Sequence, residues 1–166
     1  VNNLDVFRTC CARSICSSCH DKIGKHQPCP LCLAPCGDVA TALVRLRRHV
    51  ENEVPEAIVH LGQAYLGGHY GLVKSAKKAA KIFKRAVELG NMQAMCYLGY
   101  LHQHGNGVKS NLKKAAQLYR MAADRGHAVS QFNLGLFAEE ADDLDEARRL
   151  YALAAAQGDN DAKEAL

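Results

Sequence analysis

The sequence predicts a mostly α fold: an α-solenoid of antiparallel helix pairs preceded by a small loop-rich module. Three observations predict it. Leu-Gly pairs recur at Leu61-Gly62, Leu98-Gly99 and Leu134-Gly135, spaced 37 and 36 residues apart, and a period of this size marks stacked helix-pair repeats. Hydrophobic residues make up 48% of the 166 positions, enough to bury a core and to exclude a disordered chain. Seven of the eight cysteines fall between Cys10 and Cys36, which sets the N-terminal zone apart from the rest.

The N-terminal zone, residues 1–38, is interrupted by Pro28, Pro30, Pro35 and Gly37 and reads as loop-like. Residues 40–52 read as one helix, with Leu43, Leu46 and Val50 on a single stripe. Pro55 marks a boundary and suits the first turn of the helix that follows. Residues 56–166 divide into units at 56–92, 93–128 and 129–160, with the start of a fourth at 161–166, where Ala162 to Leu166 matches the Ala-x-x-x-Leu of Ala94 to Leu98. The chain begins with Val and stops inside this fourth unit, so both ends read as truncated.

Each unit has a place for its turns. Gly67-Gly68 and Gly71, then Gly105 and Gly107, turn one helix back on the next. Ser75 and Ser110 or Asn111 are candidate N-caps for the second helices. Gly90, Gly126 and Gly158 fit left-handed C-caps. The Leu-Gly pair offers a core side chain beside a site with no side chain, where a partner helix can approach. In the third unit four residues are lost between the helices, and acidic residues 139–146 replace the Gly-x-Gly turn. One helix pair cannot bury its apolar face alone, so neighbours must stack.

Charge is uneven. Residues 56–128 carry eleven Lys/Arg against three Asp/Glu, and residues 129–166 carry three against nine. Such a division suits two different faces for partners, against a background of ordinary solvated helix surface. The stretch from Lys74 to Arg85 has six basic residues and no acid. With aromatics at only 6% it reads as the polar face of an amphipathic helix, and nucleic acid is not the expected partner. No apolar run is long enough to span a membrane. No Gly-rich phosphate loop or nucleophile elbow occurs.

Clustered cysteines in a chain that shows no secretory signal point to thiolate metal ligands in a reducing compartment, the cytoplasm or nucleus. Zinc takes four ligands tetrahedrally, and a Cys-x-x-Cys turn presents two. Cys16 with Cys19 and Cys29 with Cys32 are two such turns. They could close a single ribbon-like zinc site, with His20, His26 and Cys36 as spare ligands, although both histidines also read as surface residues. Cys96, alone in an apolar helical pattern, reads as a small core residue.

Two resemblances follow from these residues. The order Ala-x-x-x-Leu-Gly, Gly105-x-Gly107-Val108, Lys114-Ala115-Ala116 and Ala122-Ala123-x-x-Gly126 resembles the Sel-one-like repeat, a relative of the tetratricopeptide repeat, over about two thirds of the chain. The resemblance implies a right-handed superhelix of helix pairs that serves as a scaffold in multiprotein assemblies, with no catalysis in the repeat itself. Cys10, Cys11, Cys16, Cys19, then Cys29-Pro30-Leu31-Cys32, resemble the latter three quarters of an all-cysteine RING finger whose first ligand pair is missing here. That resemblance implies Zn2+ held by Cys10, Cys11, Cys29 and Cys32, with Cys16 and Cys19 as half of a second site. It also implies a ubiquitin-conjugating enzyme as partner, docked through Ile15, Pro30 and Leu31, and ubiquitin ligation with the repeats choosing the protein substrate. The alternative is an adaptor whose zinc is purely structural.

Overall fold

The computed structural model describes residues 7–8, 13–14 and 39–166. Phe7–Arg8 (β1) and Arg13–Ser14 (β2) pair antiparallel, with Phe7 opposite Ser14. The six expected zinc ligands, together with His20, His26 and Cys36, lie outside the described residues. The chain divides into two compact units, Val1–Ser75 and Ala76–Leu166.

In the first unit the helix expected at 40–52 is α1 (Val39–Glu51), and Leu46 on its stripe is wholly buried. It packs on α2 (Pro55–Gly67), which Pro55 opens as expected, since a residue without an N–H costs nothing in the first turn. Ala57, Ile58, Val59, Leu61 and Ala64 form the buried stripe of α2. Its last carbonyls are closed by Gly68, at φ 74, whose N–H donates to the Ala64 carbonyl at 2.8 Å. A short 3-10 turn, His69–Gly71, follows and packs against α1. There Tyr70 takes φ 57, a left-handed conformation rare for a side-chain-bearing residue. Its hydroxyl lies 2.6 Å from His60 Nε2, which ties the turn back to α2.

The second unit holds α3 (Ala76–Glu88), α4 (Met92–His104), α5 (Leu112–Ala123), α6 (Ala128–Glu140), α7 (Leu144–Ala156) and the short α8 (Asn160–Glu164). Each packs on the next in sequence, α3 on α4 through to α7 on α8. The result is an all-helical repeat of packed helix pairs.

Equivalent termini recur atom for atom. The three expected C-cap glycines, Gly90, Gly126 and Gly158, have φ of 79, 86 and 94. Each donates its N–H to a carbonyl three residues back, and the next residue donates five back: Asn91 to Ala86, His127 to Ala122, Asp159 to Ala154. This paired pattern satisfies carbonyls the helix end would leave open. The residue that ends one pair then caps the next helix: Asn91, His127 and Asp159 accept from the N–H of Ala94, Ser130 and Ala162. Ala94, Ser130 and Ala162 are each fully buried, so only a small side chain fits there. Among the expected caps of the second helices, Asn111 is confirmed and accepts from Lys114 N–H at 2.9 Å. In the shortened third pair Asp143 takes this place, accepting from Glu146 N–H.

Two kinds of glycine are held by contact. A Cβ on Gly107, at φ 73, would lie 2.3 Å from the Ala76 carbonyl carbon, so this turn rests directly on the start of α3. A Cβ on Gly99 would meet the Tyr119 ring at 2.9 Å, and one on Gly135 the Tyr151 ring at 2.5 Å. The helix that approaches the Leu-Gly pair therefore does so with an aromatic ring laid on the bare glycine face. Around these rings sits the core. Cys96, Ala115, Tyr119, Ala123, Leu134 and Leu150 form one cluster, and Ala147, Tyr151, Ala154 and Ala162 another. Phe83 stacks on Tyr97 with centroids 5.0 Å apart.

Candidate protein-binding surface

Because the repeats hold the same register, each outward position of one pair has a counterpart in the next, and the surface can be compared position by position. On the first helices, Tyr100 of α4 corresponds to Leu136 of α6, and His104 to Glu140. Tyr100 is 48% exposed, and its ring lies 4.3 Å from that of His104, one turn further on. Val129 at the start of α6 is also exposed. Exposed aromatic and aliphatic side chains on rigid helices are the usual anchors of protein contacts.

The buried side of the same helices is polar at chosen points. Tyr119 Oη donates to Gln103 Oε1 at 2.9 Å, and Tyr151 Oη to Glu139 Oε2 at 2.7 Å. Gln103 and Glu139 each stand four residues after the glycine that receives the ring, so the hydroxyl meets its acceptor one helical turn on. Burial holds both phenols well above the ordinary tyrosine range, Tyr151 at about 12 with the Glu139 contact adding to the effect. Both are therefore neutral donors at any physiological pH. Ser130 and Gln131 are buried polar residues at the junction of the second and third pairs. Gln131 Nε2 donates to the Ala123 carbonyl at 3.2 Å, and its Oε1 accepts from Gln157 Nε2 at 2.7 Å. Among the described residues no buried side-chain nitrogen or oxygen lacks a partner.

Beside Gln131 opens a cavity of about 320 Å³, bordered by Asp124, Gly126, Arg149, Leu150 and Leu153. Its charged rim is closed on itself: Arg149 Nε and Nη2 donate to Glu146 at 2.7 and 2.8 Å. That hydrogen bond holds the Glu146 carboxyl below the usual carboxylate range. Asp124 is the carboxylate among the residues that line the cavity.

Cys96, expected in the core, is there: it is 8% exposed, and burial pushes its thiol up from the ordinary cysteine range, which makes it inert. Among the described residues no group of three His, Cys, Asp or Glu side chains could hold a metal ion, and no helix is long and apolar enough to cross a membrane. Sequence reasoning did not find Tyr119, Tyr151 or the cap His127. Their signal was an aromatic residue at one register position of every second helix, Phe83, Tyr119 and Tyr151, and a His where the neighbouring units have Asn and Asp.

The Sel1 repeat model matches three stretches in succession, residues 55–91, 93–127 and 128–159. The chain belongs to the Sel1 repeat family. The matched stretches fall within two residues of the units read from the Leu-Gly spacing. Among solved structures, this Sel1 repeat chain is similar to a protective antigen present in uropathogenic Escherichia coli strains displaying an SLR fold. The identity is 29% and the TM-score 0.71, over 76% of this chain and 27% of that one. It is likewise similar to a Sel1 repeat protein from Oxalobacter formigenes, 29% identical with a TM-score of 0.70, over 75% of this chain and 52% of that one. The chain thus spans about a quarter and about half of the lengths of these two relatives. No curated protein matches it. Sel1 repeats point to protein partners.

Proposed function

We propose that this Sel1 repeat chain is a protein–protein interaction scaffold whose repeats select a protein partner. The observation that carries this reading is the contrast between inside and outside. Caps, buried small residues and ring-on-glycine contacts repeat from unit to unit, while exposed residues at matching positions differ, as His104 and Glu140 do. A surface varied on a constant frame is what partner selection requires. The test is photocrosslinking with a benzoyl-phenylalanine in place of Tyr100, with the same group at buried Tyr119 as control. Discrete protein adducts at position 100 and none at 119 are expected. The absence of adducts at position 100 and at exposed position 129 would contradict the reading.

The cysteine cluster favours a finer reading of the same scaffold: an N-terminal zinc-binding module resembling a RING finger, which would bring a ubiquitin-conjugating enzyme to a partner held by the repeats. Cys10, Cys11, Cys29 and Cys32 would hold one zinc ion, with Cys16 and Cys19 in a second site, and a reducing cytoplasm or nucleus would keep these thiolates available. Zinc per chain on protein purified without chelator, followed by a ubiquitin-transfer assay, decides it. Two zinc ions with transfer activity support ligation. One zinc without transfer leaves an adaptor with a structural metal, and no zinc removes the module from the account.

A further inference from the structure

The outward face of the second helices carries cations where the helix dipole disfavours them. In register along α3, α5 and α7 stand Lys77, Lys113 and Asp145, then Lys78, Lys114 and Glu146. These positions lie in the first turn, where free N–H groups and the helix dipole favour carboxylates and disfavour cations. The third pair follows that rule with Asp145 and Glu146. The first two reverse it, and no acidic residue stands in the first turn of α3 or α5. Further along, Lys81 and Lys84 continue the face of α3, and Arg120 that of α5. Lys77, Lys81, Lys84, Lys113 and Lys114 are exposed and have no ion-pair partner among the described residues, whereas Arg149 at the counterpart of Lys81 is paired with Glu146. Charge held where it opposes the helix, in two successive repeats, marks a surface kept for something other than folding.

α3 and α5 both pack on α4, and their cations hold matching register positions. One apolar side chain borders these cations, Met121 at 48% exposure, seven residues on from Lys114 along α5. We propose that this face docks an acidic segment of a partner protein that also presents leucine-like side chains, its carboxylates meeting the lysines and an apolar group meeting Met121. The proposal rests on the scaffold reading and names the chemistry of one partner. A phosphate backbone fits less well: the cations are mostly lysines rather than bidentate arginines, and no exposed aromatic lies on α3 or α5 to stack a base.

The test uses the full chain and a labelled synthetic helical peptide of glutamates with leucine at every fourth position. A leucine-free glutamate peptide and a single-stranded oligonucleotide of equal charge serve as comparators. By anisotropy, the leucine-bearing peptide is expected to bind most tightly and to weaken with salt. The double variant Lys77→Glu, Lys113→Glu is expected to lose about tenfold or more in affinity, while its melting temperature rises, because each new carboxylate then sits where the helix favours one. Met121→Gln is expected to weaken the leucine-bearing peptide and leave the leucine-free one unchanged. Undiminished peptide affinity in the double variant, a fall in its melting temperature, or tighter binding of the oligonucleotide than of the leucine-bearing peptide would each overturn the proposal. None of these results touches the crosslinking at Tyr100, which lies on α4, so the scaffold reading fails or stands separately.

Discussion

The second and third repeats solve the same folding problem with different chemistry. Both lay a tyrosine ring on a bare glycine, yet one hydroxyl finds the neutral Gln103 and the other the carboxylate of Glu139. Both turn between their helices, yet one uses Gly105 and Gly107, and the other forces Asp142 to φ 62. Both cap the first helix, yet Asn91 does so in one and His127 in the other. Geometry is what the repeat conserves from unit to unit; the atoms that deliver it are free to differ, and with them the response to pH and substitution.

The largest effects belong to contacts without room. Gly107→Ala would press a Cβ into the backbone of Ala76 and Lys77 in a left-handed conformation, and is expected to cost about 3 kcal/mol or more by thermal or denaturant unfolding. Gly99→Ala and Gly135→Ala, which meet buried rings rather than backbone, are expected to cost about 1–3 kcal/mol each. Gly126→Ala is the control. Its φ is 86 but no atom lies within 4 Å of the added methyl, so only the conformational strain of about 1–2 kcal/mol remains. A cost at Gly126 equal to that at Gly107 would mean that the turns are held by φ alone and not by contact.

The caps come next. His127 Nδ1 accepts from Ser130 N–H at 3.2 Å and lies 2.9 Å from Ser130 Oγ, so it caps only when neutral. Burial lowers its pKa below the ordinary 6.5. A histidine whose folded pKa is depressed stabilises the fold fully above the unfolded pKa, and that contribution is lost as pH falls through the folded value. Stability of α6 is therefore expected to decline below about pH 6.5, read as faster amide exchange at Ser130 and Gln131. His127→Asn is expected to remove that pH dependence while keeping the cap, and His127→Ala to cost about 1 kcal/mol at neutral pH. Tyr119→Phe is expected to cost a similar amount, about 1 kcal/mol, from the hydrogen bond to Gln103 alone.

Much of this frame could be read before the structure. Leu-Gly spacing located the pairs, because a fixed period survives wherever a glycine must stay bare. The C-cap glycines and Asn111 were legible because each is the common residue for its conformation. What escaped was what uncommon residues do in common places. His127 is not among the usual capping residues, and an aspartate at φ 62 in the third turn gives no signal beyond the missing glycines. Tyr119 and Tyr151 were not singled out; their rings on Gly99 and Gly135 show what approaches those bare glycines. The cysteine zone taught the reverse lesson, for its spacing suggests metal ligands in the sequence while the cysteines themselves lie outside the described residues.

The reciprocal exchange Asn91→His with His127→Asn tests the register equivalence most directly. Residue-resolved amide exchange would be followed at pH values above and below the histidine range. If the repeats are one geometry with interchangeable chemistry, the acid-induced opening moves with the histidine. It leaves the start of α6 and appears at the start of α4, at Ala94 and Met95. An opening that stays at α6 in the exchanged chain would mean that the junction between the second and third pairs is weak for some reason other than its cap, and would contradict the equivalence.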